Sequence, residues 1–130
     1  MNRVDLRAAA GLIGLLCFVG TGAYMHFALA HLQHTPLPQR LMFRATHIYL
    51  LLGSLHALAA SFVPVCELKS RLLRVLLLSV AAEPLIFLVA FFVEPHWMLL
   101  RRPVSRMGLY IAFLSAAPMA VAILVRMRRA

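Results

Sequence analysis

Four long apolar runs alternate with three short polar connections along the chain. The runs cover residues 8–30, 45–65, 75–93 and 107–125. Each is close to the roughly 20 residues that a helix needs to cross about 30 Å of hydrocarbon. Strands of a membrane barrel are about half as long and alternate apolar with polar positions, so the pattern predicts helices. The connections, near residues 31–40, 66–74 and 94–104, are too short to hold a domain. Short connections join antiparallel neighbours. The expected fold is therefore all-α and polytopic: a single transmembrane domain over residues 1–130, built as an up-down four-helix transmembrane bundle.

The first run has a competing reading. Arg3 and Arg7 precede it, and Ala28, Leu29 and Ala30 have the small-residue look of a cleavage site, which together outline a secretory signal. The run is long for the apolar part of a signal, and Tyr24, Met25 and His26 are a poor approach to a cleavage site. A retained helix is the expectation.

Composition sharpens the class. Of the 130 residues, 63% are hydrophobic and 13% charged, against about 25% charged in soluble domains. The mean hydropathy is +0.89. The net charge of +9 comes from 13 Lys and Arg against 4 acids. A basic balance can mark nucleic-acid binding. Here the cations sit in short clusters between apolar runs, where loops meet lipid phosphates, so membrane lipid is the expected partner and nucleic acid is not.

The side bearing Arg3, Arg7, Lys69, Arg71, Arg74, Arg126, Arg128 and Arg129 outweighs the side bearing Arg40, Arg44, Arg101, Arg102 and Arg106. This places both termini in the cytoplasm of a bacterial inner membrane. Cys17 and Cys66 form no C-x-x-C pair, so both read as small buried residues rather than redox or zinc ligands.

The fourth run carries Gly108, Ala112, Ala116 and Ala120, small residues at four-residue spacing that let helix backbones approach closely in lipid. The seam would face its own bundle or a partner, as in a homo-oligomer or a larger membrane complex. Pro118 lies within it and predicts a kink. Gly11, Gly14 and Gly22 suggest similar packing on the first helix.

Polar groups in hydrocarbon are costly and mark candidate chemistry. Five of the six histidines fall on the side away from the termini: His26, His31, His34, His47 and His96. With Met25 nearby, His26 and His47 at matching depth suit haem b or copper. The competing reading is an ordinary interface belt of polar side chains. Arg44 and His47, three apart, share a helix face and would grip an acidic group such as Glu94, an anionic head group or a quinone. Glu83, mid-run and followed by Pro84, has His56 as its nearest partner by depth. That pair reads as a proton-carrying site or as a packing contact. Nine residues separate His47 from His56, which puts them on opposite faces of one helix.

The segments Thr21-Gly-Ala-Tyr-Met-His26 and Phe43-Arg-Ala-Thr-His-Ile-Tyr-Leu50, with Gly108-Leu-Tyr110, resemble small four-helix inner-membrane proteins of bacteria to which no activity is assigned. The resemblance implies the topology and carries over no residue role. No nucleophile motif, phosphate loop or carboxylate pair is present in the sequence. The first expectation is a non-enzymatic accessory or assembly subunit. The alternatives are a haem- or copper-binding protein and a small proton-coupled transporter using Glu83 and His56.

Overall fold

The computed structural model describes residues 5–65, 70–97, 99 and 101–127, with side chains to Leu124. Among them the chain is helical apart from short turns, with no strand. Cys66, Lys69, Arg3, Arg128 and Arg129 lie outside the described residues.

Helix α1, Leu6–Ala23, starts at Asp5, whose carboxylate accepts the backbone N–H of Arg7 as a side-chain cap. It widens into a π-turn over Tyr24–Ala28. The chain then reverses through Ala30, His31 and Leu32, all left-handed at φ 43, 57 and 64°. Helix α2, Leu37–Ser61, begins after Pro36 and carries Pro38 in its first turn, where a missing N–H costs nothing. Its start precedes the apolar run at 45, because the two prolines and not the edge of the hydrocarbon set it.

Helix α3, Arg71–Ser79, and helix α4, Glu83–His96, are joined by a tight 3-10 turn at Val80–Ala82. Pro84 has no N–H for the Val80 carbonyl, and the Glu83 N–H takes that carbonyl instead. Helix α5 is Pro103–Met127 and runs through Pro118.

Three rods are long and apolar enough to cross a membrane: Leu6–Ala28, Arg71–His96 and Pro103–Leu124. Helix α2 lacks their hydropathy because it lies between its neighbours. Both α1 and α4 pack along it, and it buries Met42, Phe43, Thr46, Leu50, Gly53, Ser54, Ala57 and Ala60. Close approach to α1 depends on two glycines: a Cβ on Gly14 would stand 2.2 Å from Ser54 Oγ, and one on Gly11 would stand 2.6 Å from Leu58 Cγ. Gly22 faces the His47 ring more loosely.

The small-residue ladder of α5 does not form one inward seam. Gly108 is buried against Phe87 and Ile86 and Ala112 is half-buried, whereas Ala116 and Ala120 are exposed. Steps of four residues advance about 400° around a helix of 3.6 residues per turn, so the ladder drifts off the buried face. Ser105, Gly108 and Ser115 hold that face instead.

Candidate functional site

Polar side chains tie the helices together in pairs. At one end Arg7, 3% exposed, donates to the carbonyls of Ala60 (2.6 Å) and Val63 (2.9 Å) at the end of α2. Its other nitrogens meet both carboxylate oxygens of Asp5, at 3.0 and 2.6 Å. A cation on the last carbonyls of a helix also opposes the negative end of its dipole. The Arg7 hydrogen bonds hold the Asp5 carboxyl below its usual range. In the sequence Arg7 shows only as a flanking charge, because its partners on α2 lie more than fifty positions away.

In mid-bundle, His56 and Glu83 meet as their depths predicted. Nδ1 of His56 lies 3.0 Å from each carboxylate oxygen of Glu83, which is fully buried. The other ring nitrogen, Nε2, is buried with no hydrogen-bond partner among the described residues. The pair joins α2 to α4 and can share one proton between imidazole and carboxylate.

Toward the other end, Glu94 is also fully buried. It accepts the backbone N–H of Ser105 (2.7 Å), the Ser105 hydroxyl (2.5 Å) and Nε of Arg102 (3.4 Å). Glu94 thus caps the first turn of α5, where a negative charge is favoured. It does not meet Arg44 as the sequence suggested. The Arg102 guanidinium lies 5.2 Å from the centre of the Tyr49 ring.

The expected histidine cluster is only partly assembled. Met25, His26, His31, Arg44 and His47 line one open cavity of about 340 Å³ between the π-turn and α2, with Gly22 and Leu32. The His26 and His31 rings are in edge contact, centroids 3.9 Å apart. His47 Nδ1 is 3.0 Å from Thr21 Oγ1, and its ring stacks on Phe18 at 4.1 Å. His34 is exposed in the turn and does not line the cavity. His96 stands apart, in edge contact with Phe43. His47 and His56 lie in different grooves, the first against α1 and the second against α4.

Two backbone departures place these histidines. A π-turn is rare and recurs at functional positions; His26 lies in it. Left-handed backbone costs roughly 1–2 kcal/mol for each residue with a Cβ, and His31 is the middle of three. No glycine or asparagine marks that turn, so sequence reasoning had no signal for it.

The residues present constrain the ligand. Among the described residues no three of His, Cys, Asp and Glu converge as a metal site. His26 is exposed and in edge contact with His31 at 3.9 Å and with Phe27 at 4.5 Å. Arg44 puts a fixed positive charge on the cavity, and no carboxylate or thiolate lines it. The lining offers N–H donors, which suit an acceptor oxygen.

Comparison with protein-family models, with curated proteins and with solved structures gives no match.

Proposed function

We propose that the chain is a four-span inner-membrane protein with both termini in the cytoplasm, acting as a non-enzymatic accessory subunit that binds an oxygen-rich headgroup of the quinone type. Three apolar rods and the Lys and Arg distribution support the topology. Helix α2 has 25 residues, about 37 Å at 1.5 Å per residue. It serves as the fourth span because its polar side chains find partners on α1, on α4 and at Arg102 just before α5.

The observation that carries the ligand reading is the convergence of His26, His31, Arg44 and His47 on one cavity. Its volume lies at the lower end of small-ligand sites. Quinone carbonyls accept from guanidinium and imidazole N–H groups, and a quinone reaches the cavity through the bilayer. Purified protein in mild detergent should bind a short-chain quinone in equilibrium dialysis. Arg44→Gln and His31→Ala should each weaken that binding about tenfold, the loss of one charge-assisted hydrogen bond. Wild-type affinity in both variants, or no binding by the wild type, overturns the reading.

A second reading is a copper(I) ion held by His26, His31 and Met25, favoured by the ring contact of the two histidines and the softness of the thioether. Metal analysis of protein from copper-replete cells separates the two: stoichiometric copper lost in His26→Ala favours the ion.

A further inference from the structure

A second cavity, of about 200 Å³, opens where α5 begins, lined by Tyr49, Arg101, Arg102, Ser105, Arg106 and Leu109. It shares no residue with the histidine cavity and does not depend on the function proposed above. Three guanidinium groups border it, and the acid bound there is Glu94, already committed to Arg102 and Ser105. Of the other acids among the described residues, Asp5 pairs with Arg7 and Glu83 with His56. Arg101 and Arg106 are exposed and make no ion pair among the described residues. Among the described residues, two positive charges therefore remain without a carboxylate on one small concave surface.

The cavity is built rather than incidental. Arg102 is held at φ 51°, a left-handed value for a residue with a Cβ. Two contacts fix its guanidinium, the Glu94 carboxylate and the Tyr49 ring. Its Nη2 also reaches Ser105 Oγ, at 3.4 Å. The rod Pro103–Leu124 has 22 residues, about 33 Å, which matches the hydrocarbon thickness. The cavity at its start therefore lies at the depth of lipid headgroups. Leu109 on its wall and the exposed Tyr110 and Phe113 beyond it continue as an apolar face along which acyl chains lie. Arginine is the side chain best matched to phosphate, through paired N–H donors, and basic pockets between membrane helices take anionic lipid headgroups.

We infer that Arg101 and Arg106, backed by Arg102 and Tyr49, form a site for the phosphodiester of an anionic membrane lipid. The guanidinium groups grip the phosphate and the acyl chains follow α5. Free inorganic phosphate has the same anionic chemistry but nothing to lay against Leu109.

The test is native mass spectrometry of the full chain released from phosphatidylcholine nanodiscs with or without phosphatidylglycerol. Wild type should retain phosphatidylglycerol over phosphatidylcholine. The double variant Arg101→Gln, Arg106→Gln should lose that preference about tenfold or more at unchanged thermal stability, while Arg71→Gln at the other end keeps it. Inorganic phosphate should not displace the lipid. Equal retention by the double variant, equal loss in Arg71→Gln, or displacement by inorganic phosphate overturns the assignment. Should the double variant unfold, the single variants Arg101→Gln and Arg106→Gln carry the same comparison.

Discussion

The imidazole of His56 stands 3.0 Å from both oxygens of a fully buried Glu83, the one place among the described residues where α2 and α4 are joined by an ionisable pair. A carboxylate in hydrocarbon costs at least about 2.5 kcal/mol when unpaired. The pair therefore holds two helices together and also penalises their separation.

Removing one partner should cost more than removing both. His56→Leu leaves Glu83 unpaired and should lower stability by about 3 kcal/mol. His56→Leu with Glu83→Leu should recover most of that loss, since two apolar side chains fill similar space. Reversible unfolding in mixed detergent micelles gives both values. A double variant as unstable as the single would show that the pair is not the unit of stabilisation.

Depth along each run was enough to bring His56 and Glu83 together on paper, because a membrane helix converts residue number into height. What depth does not give is rotation. Arg44 was matched to Glu94, yet Arg102, eight residues after Glu94 in the same connection, reaches it first. The π-turn and the left-handed residues around His31 were invisible, since backbone departures without glycine leave no compositional trace. Small residues four apart on α5 do not all reach the bundle interior, since the 3.6-residue turn carries Ala116 and Ala120 to the exposed side.

The Asp5–Arg7 pair should give the α1 start a one-sided pH dependence. The folded carboxyl is held below its ordinary value by the guanidinium. Its contribution is therefore complete above the unfolded pKa of about 3.9 and is lost as pH falls through the folded value. Asp5 is partly exposed, with 39% of its side chain accessible, and screening limits the effect to below about 1 kcal/mol. Thermal unfolding from pH 7 to pH 2 should show a drop confined to the acid end, and Asp5→Asn should show less of it. A matching drop in Asp5→Asn would assign the effect elsewhere.

Two glycines of α1 should respond oppositely to alanine. At Gly14 the added Cβ meets Ser54 Oγ and Pro84 Cβ, at 2.2 and 2.7 Å, so α1 must move away from α2 at a cost of about 1–3 kcal/mol. At Gly20 nothing lies within 4 Å, and alanine should stabilise by up to about 1 kcal/mol through helix propensity. Melting temperatures of the two variants in one detergent settle the comparison. Equal effects would mean that α1 does not pack on α2 through this face.

Glycine should be harmless where it usually harms. Ala30 sits at φ 43°, where its Cβ costs about 1 kcal/mol or more, while glycine raises the entropy of the unfolded chain by about 0.4–1 kcal/mol. Ala30→Gly should therefore be neutral or stabilising by up to about 1 kcal/mol. The same change at the exposed helical position Ala116 should cost about 0.5–1 kcal/mol. Ala30 does not line the histidine cavity, so the variant also separates strain from ligand contact. If the left-handed turn holds His31 against His26 for binding, Ala30→Gly should keep quinone affinity, because the same backbone path becomes cheaper. Ala30→Pro, whose ring fixes φ near −65°, should abolish binding while α2 remains folded. Equal binding by the two variants would show that the path of this turn is not what positions the ligand site.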